Sequence, residues 1–306
     1  MRYAIVGTGA IGGYYGAMLV RAGHDVSFLL HSDYDHVKRN GLRVRSCNGD
    51  FTLPQVKAFN STADMDPVDV VLVGLKTTNN HLLKELLTPL LHKKTLVILI
   101  QNGIGPEPIL QAVMPEAHIA AGLAFICSAK TGPGEIHHQA YGHINIGNYS
   151  CTDKEVLDNV LSDMCNSGIR AVEVDYNEAR WKKAVWNMPF NGMTVAMDAR
   201  TDQLLNNPAT RALIREQMME VAGAAQALGV KGVDEKFVDK MIADTLVMPP
   251  YLPSMKLDYD NHRPMEIEYL YSRPIAEARK AGFEMPRLAM LESQLRFLQA
   301  RQEDPK

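Results

Sequence analysis

This sequence has few cysteines, no long apolar run and no large excess of either charge. Each of these absences excludes a class of protein. The 4 cysteines among 306 residues stand far apart with no Cys-x-x-Cys pair, so reduced thiols in a cytoplasmic protein are expected rather than disulfides or a zinc site. No apolar run is long enough to span a membrane. The net charge of −3 gives no reason to expect nucleic acid or an anionic membrane as a partner.

The pair His137-His138 has no cysteine nearby and no second histidine at helical spacing. We interpret it as a polar loop and expect no metal site. The composition itself, with 46% hydrophobic and 22% charged residues, is typical of a soluble globular protein. At this length the chain is expected to form two domains.

The most informative stretch is residues 1–30. An apolar run at residues 3–6 leads directly into Gly7-Thr8-Gly9-Ala10-Ile11-Gly12, then into a helical pattern and a second apolar run at 26–30. Between a strand and a helix, the first glycine of Gly-x-Gly-x-x-Gly permits the turn, the second admits a pyrophosphate, and the third allows close helix packing. The N–H groups at the helix start and the helix dipole then face the phosphates. Residues 7–12 are therefore predicted to bind a dinucleotide.

The residues after the second strand select the cofactor in such a fold, because a carboxylate binds the ribose of NAD and an arginine meets the 2′-phosphate of NADP. Here they are His31, Ser32 and Asp33. His31 and Ser32 are able to hydrogen-bond a phosphate, whereas Asp33 would serve a ribose. The pattern favours NADP(H) and leaves NAD(H) open, and His31 has the alternative of a solvated loop residue.

Polar residues also follow later predicted strands. Lys76 follows the strand at 69–75 and Asn102 follows the strand at 95–100, where ligands of an open α/β sheet bind. A solvated lysine and a turn asparagine are the alternatives. Ser128 begins a predicted loop over residues 128–134.

The pattern becomes helical after about residue 150. Helices are predicted over 155–165, 178–196, 208–228, 234–245, 264–281 and 287–301. The predicted fold is therefore α/β followed by all-α: a Rossmann dinucleotide-binding domain over 1–174 and a helical domain over 175–306.

One predicted helix carries Lys183, Asn187 and Asn191 at spacing i, i+4, i+8, which places them on one face. Asparagine is a poor helix former, so this row indicates either a ligand site or a hydrogen-bonded seam between helices. Pro189 is expected to disturb the helix between the two asparagines.

A third candidate region follows a proline-rich loop. Ser254 is predicted to cap the helix that comes after this loop. Glu266 and Glu268 cannot share a helical face, so one is expected to look into a cleft and the other to be solvated.

In their order and spacing these motifs resemble ketopantoate reductases, from Met1 to about Pro286. The similarity lies in residues 7–12, Leu75-Lys76, Gln-Asn-Gly-x-Gly at 101–105, the Lys-Asn-Asn row at 183–191, Ser-Met-x-x-Asp at 254–258 and Arg-x-x-Glu-Ile at 263–267. Members of that family are oxidoreductases that reduce 2-dehydropantoate to (R)-pantoate with NADPH, for pantothenate and coenzyme A biosynthesis.

The resemblance implies a helical domain of the 6-phosphogluconate dehydrogenase C-terminal type and a set of residue roles. Lys183 would donate a proton, and Glu266 would orient either the Lys183 side chain or the nicotinamide ribose. The implied ligand contacts are Lys76 and Ser128 for the cofactor, Asn102 for cofactor and substrate, and Asn187, Asn191 and Ser254 for the substrate. A homodimer is expected only by analogy with other helical second domains.

Four departures from the family pattern bear on specificity. His31 replaces the usual arginine, Tyr251 and Tyr271-Ser272 stand where Asn and Asn-Gly are common, and Gly192 replaces a proline. They favour a reshaped pocket, so a second hypothesis is an NAD(P)-dependent dehydrogenase for another branched or aromatic 2-keto acid. A third hypothesis is an NADP-binding sensor without turnover. The retention of Lys183, Asn187 and Glu266 together argues against it, because a sensor needs no proton donor.

Overall fold

The computed structural model describes residues 1–303, and the chain divides into two compact units. The first comprises residues 1–101 and 106–176, and the second comprises the short segment Asn102–Gly105 and the chain from residue 177 onward. The first unit is an α/β domain and the second is helical, so the predicted combination of a Rossmann domain with a helical domain is confirmed. Within residues 1–303 we find no helix with the length and apolar character needed to cross a membrane.

The first unit is built on a sheet of ten strands. They are β1 Arg2–Val6, β2 Asp25–Leu29, β3 Leu42–Ser46, β4 Phe51–Leu53, β5 Lys57–Phe59, β6 Val70–Val73, β7 Leu96–Leu99, β8 His118–Gly132, β9 Glu135–Asn148 and β10 Ala171–Val174. Its helices are α1 Ala10–Arg21, α2 Tyr34–Asn40, α3 Leu83–Leu87, α4 Pro106–Val113 and α5 Lys154–Asn166.

The strand order is β4-β3-β9-β8-β7-β6-β1-β2-β5, with β10 paired to β9. The strands from β8 to β5 in this order run parallel, and β8 and β9 form an antiparallel hairpin. In β1, Tyr3 and Ile5 belong to one apolar cluster while Ala4 and Val6 belong to another. The strand is therefore buried on both faces, as parallel strands covered by helices require.

Two interpretations of this unit are wrong. The loop predicted over residues 128–134 is mostly strand, because β8 continues to Gly132. Irregularities in its pairing with β9 allow the strand to continue through this segment. His137 and His138 lie in β9 rather than in a loop, and His138 is fully buried. Its Nδ1 lies 2.9 Å from Ser46 Oγ and its Nε2 lies 3.1 Å from the Tyr141 carbonyl oxygen.

The second unit consists of helices around one apolar core. They are α6 Tyr176–Ala196, α7 Thr201–Asn206, α8 Pro208–Ala227, α9 Glu235–Leu246, α10 Ser254–Asp260, α11 Arg273–Lys280 and α12 Pro286–Glu303. The short helices α2, α4 and α7 were not predicted, because so few residues show little periodicity.

The long helix predicted over 264–281 is wrong at its start. Residues 263–266 are not helical, and a π-helical segment, Glu268–Ser272, precedes α11. The expectation that Pro189 disturbs its helix is also wrong at the level of secondary structure, since α6 runs through it without interruption.

Candidate active site

The glycine-rich turn joins β1 to α1 in the conformation that its glycines permit. Gly7 has a φ of +95°, and a Cβ on it would lie 2.5 Å from the Leu75 backbone nitrogen. A Cβ on Gly12 would lie 2.3 Å from the Gly7 carbonyl oxygen, so the third glycine lets α1 pack on the turn. Both clashing atoms belong to the backbone and cannot move without displacing the neighbouring strand or turn. Positions 7 and 12 therefore require glycine.

Gly9 differs from these two glycines because a Cβ placed on it meets nothing within 4 Å. It is the N-cap residue of α1, and no side chain caps this helix start. The first N–H groups of a helix have no partner within the helix, so they are available to an anion. Open space in front of an uncapped helix start fits a pyrophosphate.

Three more predicted cofactor residues lie in the first unit. Ser128, on β8, donates a hydrogen bond from Oγ to the Ala10 carbonyl oxygen at 3.3 Å, which places it beside the glycine-rich turn. Lys76 is partly buried directly after β6 and precedes a 3₁₀ segment, Thr77–Leu82. His31 is exposed in the loop between β2 and α2.

Thr8, inside the predicted phosphate-binding turn, has a structural contact. Its Oγ1 donates to the Leu29 carbonyl oxygen at 2.8 Å, and the residue is 8% exposed. The hydroxyl therefore holds the turn against the end of β2.

Asn102 belongs to the segment Asn102–Gly105, which is part of the helical unit. The Ile104 N–H donates to the Tyr269 carbonyl oxygen at 2.9 Å, and a Cβ on Gly103 would lie 2.3 Å from that oxygen. Asn187 Nδ2 lies 3.4 Å from Asn102 Oδ1. The structure thus brings together Asn102 and α6, two predicted substrate contacts that are 85 residues apart.

Lys183 is the titratable residue most changed by its surroundings in this helix. Burial, and then the charge of Arg180 one turn earlier, lower the pKa of Lys183 to about 7, while Glu266 opposes the shift. A lysine at this value gains and loses its proton near neutral pH, as a general acid must. Arg180 itself is 3% exposed. It was not among the predicted site residues, although the spacing of three residues places it beside Lys183 on the helix.

Asn191 fixes the position of the helix that carries Ser254. Its Nδ2 donates to the Asn187 carbonyl oxygen at 3.0 Å, and its Oδ1 accepts a hydrogen bond from the Met255 N–H at 3.1 Å. The prediction that Ser254 caps α10 is wrong, because the N-cap residue is Pro253 and the capping acceptor is Asn191. The Ser254 hydroxyl is not used as the cap.

The two glutamates after this region differ in burial, as their spacing of two residues predicts. Glu266 is 6% exposed and acts on Lys183, whereas Glu268 lies in the π-helical segment. Glu268 is about half exposed and pairs with Arg273 and Arg296. Glu266 is therefore the carboxylate that acts on the lysine.

Two departures from the family pattern, Gly192 and Tyr271, contact one another. Tyr271 is fully buried, its hydroxyl donates to the Met188 carbonyl oxygen at 2.5 Å, and the Gly192 N–H donates to the same hydroxyl. A Cβ on residue 192 would lie 2.6 Å from that oxygen. The tyrosine therefore enters the backbone hydrogen-bond ladder of α6 just beyond Pro189, and it needs glycine at 192.

A glycine-rich turn before an uncapped helix start in one unit, and in the other a lysine with a near-neutral pKa one helical turn from Asn187, are typical of dinucleotide-dependent oxidoreductases. The family model described as "Ketopantoate reductase PanE/ApbA" matches residues 3–150, and its C-terminal counterpart matches residues 175–299. The chain belongs to the ketopantoate reductase family, which confirms the resemblance.

Individual relatives agree with this assignment. The chain is 45% identical to a 2-dehydropantoate 2-reductase of Nostoc sp., over 98% of this chain and 96% of that one. The crystal structure of 2-dehydropantoate 2-reductase from Geobacter metallireducens matches with a TM-score of 0.93 and 39% identity, over 97% and 99% of the two chains. D-mandelate dehydrogenase with NADH and anilino(oxo)acetate matches with a TM-score of 0.90 over 99% of each chain, but at 22% identity this likeness shows the fold alone.

Proposed function

We propose that this chain reduces 2-dehydropantoate to (R)-pantoate with NADPH, and that Lys183 donates the proton. The observation that carries the proposal is the lowered pKa of Lys183, about 7, on a helix where Asn187 lies one turn further along. A reduced nicotinamide supplies the hydride. The remaining chemistry falls to side chains of this chain.

The step that needs help from the protein is charge development on the keto oxygen. As the carbonyl carbon gains a hydride, its oxygen becomes an alkoxide, and an ammonium group beside it stabilises the charge and then protonates it. Proton donation by a positioned general acid contributes about 10²- to 10⁴-fold in rate. Glu266 favours the protonated form of Lys183, so the acid is still partly charged at neutral pH.

The cofactor contacts are assigned to the first unit and to Asn102. The backbone of residues 7–12 holds the pyrophosphate, with Gly9 leaving the space for it. Lys76, His31 and Ser128 lie at strand ends or at the glycine-rich turn, where side chains meet the phosphates and riboses.

The substrate contacts are assigned to the helical unit. Asn102 and Asn187 offer carboxamides that hydrogen-bond the keto group and the hydroxyl group of 2-dehydropantoate, and Ser254 offers a hydroxyl to its carboxylate. We assign Asn191 chiefly to holding α10, because both polar atoms of its side chain already have protein partners.

The test is a paired screen of reduced cofactor and keto acid. Purified protein is mixed with NADPH or NADH and with 2-dehydropantoate, other branched 2-keto acids or a phenyl-substituted 2-keto acid, while cofactor absorbance is followed. Decay that requires 2-dehydropantoate is expected, faster with NADPH than with NADH. Binding of NADPH without decay for any acid would contradict the proposal and favour a sensor.

A second candidate is a dehydrogenase for another branched or aromatic 2-keto acid. The observation that favours it is the pair Tyr271 and Gly192, which replaces the residues common in the family beside α6. Faster decay with a phenyl-substituted acid than with 2-dehydropantoate would select this candidate.

We also propose a homodimer in the cytoplasm. Met290 and Phe297 lie seven residues apart on one face of α12 and are 54% and 65% exposed, and an apolar face of this kind fits a second copy of the chain. The four cysteines are all free thiols, which fits a reducing compartment. A Phe297→Asp variant that lowers the mass measured by light scattering would support the dimer, and a monomeric wild-type protein would exclude it.

A further inference from the structure

The end of β2 in the first unit is where this fold distinguishes NADP from NAD, because the adenosine ribose lies there. The bond from Thr8 Oγ1 to the Leu29 carbonyl oxygen brings the glycine-rich turn against this strand end. His31, the residue that replaces the family's arginine, is exposed in the following loop together with Ser32. An imidazole and a hydroxyl do not supply the permanent positive charge of an arginine at this position.

The ammonium group of Lys130, a residue distant along the chain, lies next to this strand end. Lys130, near the end of β8, has its Nζ 2.6 Å from Asp33 Oδ2 and 3.4 Å from the Thr8 carbonyl oxygen. The side chain of Lys130 keeps 30% of its accessible surface. An ammonium has three N–H donors, and these contacts use two of them.

Asp33 is the carboxylate that would otherwise select NAD. It is 6% exposed, and its Oδ2 also accepts a hydrogen bond from the Gly134 N–H at 3.1 Å. A buried carboxylate paired in this way is oriented into the protein, and its charge is offset by Lys130. The group that would repel a 2′-phosphate is therefore neutralised by the cation best placed to attract one.

We propose that Lys130 binds the 2′-phosphate of NADP and takes the place of the arginine absent at position 31. The proposal deepens the function proposed above, on which it rests. His31 and Ser32, which directly precede Asp33 and are exposed, add hydrogen bonds to the same phosphate. The alternative is a salt bridge that only holds the loop, in which case Lys130 would influence ligands with and without the phosphate equally.

The experiment measures binding of adenosine fragments rather than turnover. The full chain is titrated by calorimetry with 2′,5′-ADP and with 5′-AMP, which differ only in the 2′-phosphate. For Lys130→Met we expect about tenfold or greater loss of affinity for 2′,5′-ADP, the effect of one charge-assisted hydrogen bond, and about twofold or less for 5′-AMP. Equal losses for the two ligands, or no loss, would overturn the proposal.

The chain offers a matched control at the other end of β2. Lys57 Nζ lies 2.6 Å from Asp25 Oδ1, so Lys57→Met breaks a lysine–aspartate pair of the same length away from the glycine-rich turn. It is expected to leave the affinities for both fragments unchanged. A loss for Lys57→Met equal to that for Lys130→Met would show a nonspecific charge effect and contradict the proposal.

Two further variants keep the test decisive if Lys130→Met folds poorly. Lys130→Arg retains the charge and should keep at least half of the affinity for 2′,5′-ADP. Asp33→Asn frees the ammonium and should tighten 2′,5′-ADP but not 5′-AMP, whereas unchanged or weaker 2′,5′-ADP binding in this variant would count against the proposal. A chain that binds 2′,5′-ADP through Lys130 but does not reduce 2-dehydropantoate would refute only the proposed function.

Discussion

Replacing Lys183 with methionine is expected to remove most of the turnover and, at neutral pH and below, to stabilise the fold. Methionine keeps the length and apolar stem of the side chain but has no charge. The pKa of Lys183 falls from 10.5 to about 7 in the folded protein. At about 1.4 kcal/mol per pH unit this gap corresponds to roughly 5 kcal/mol of preference for the neutral amine, an upper value before the site relaxes.

The direction of the pH effect follows from the proton count. Between pH 7 and pH 10.5 the unfolded chain binds the lysine proton more often than the folded one, so this group makes the wild type more stable as pH rises through that window. Below pH 7 both states hold the proton, and the folded state carries the full cost of the buried charge. Lys183→Met should therefore raise the free energy of unfolding by about 1–4 kcal/mol at pH 6, with the gain shrinking toward pH 10.

The rate should change with pH in the sense that a proton donor requires. Reduction needs the ammonium, so kcat/KM of the wild type should be level below about pH 7 and fall about tenfold per pH unit above it. Oxidation of the hydroxy acid needs the neutral amine and should show the opposite limb. Lys183→Met should lose about 10²- to 10⁴-fold in kcat and both limbs of the profile.

The measurements are cofactor absorbance decay across the neutral range and urea unfolding at two pH values. Lys182→Met is the matched control, because the neighbouring lysine is partly exposed and pairs with Glu178. It should leave the pH profile unchanged. Wild-type turnover in Lys183→Met would refute the role of the lysine, and a stability difference independent of pH would refute the lowered pKa.

Three other predictions concern the surroundings of the site. Arg180→Met should move the pH at which the rate of reduction falls upward and Glu266→Gln should move it downward, because their charges act on the pKa of Lys183 in opposite senses; pH profiles of kcat/KM that move in the same direction would contradict this. Gly9→Ala should leave the melting temperature of the ligand-free protein unchanged while weakening NADP⁺ binding about tenfold or more in calorimetry, since its Cβ enters open space at the helix start; unchanged binding would remove Gly9 from the cradle. Gly192→Ala should destabilise the protein by about 1–3 kcal/mol in urea unfolding, because its Cβ would clash with the Tyr271 hydroxyl and with Leu291. The loss should be smaller in a Tyr271→Phe background, where the oxygen is absent and only Leu291 remains; additive effects would mean that residues 192 and 271 are not coupled.

Features that depend on neighbours along the chain could be predicted from the amino-acid sequence alone. The strand, glycine-rich turn and helix at the start of the chain could be predicted because the role of each glycine depends only on the residues next to it. The row of Lys183 and Asn187 was readable because residues four apart share a helical face. The helical character of the second half was readable from its periodicity, although short helices and the π-helical segment were not.

Contacts between residues that are distant along the chain could not be predicted in this way and follow from the folded arrangement. Asn191 rather than Ser254 caps α10, Tyr271 enters the ladder of α6 at Gly192, and Lys130 neutralises Asp33 across the first unit. Such contacts join residues 64 to 97 positions apart, and a local pattern carries no information on them, because packing of whole elements brings the side chains together. The chemistry of Lys183 has the same origin: its place on the helix is local, but its pKa is set by burial and by the charges that the fold collects around it.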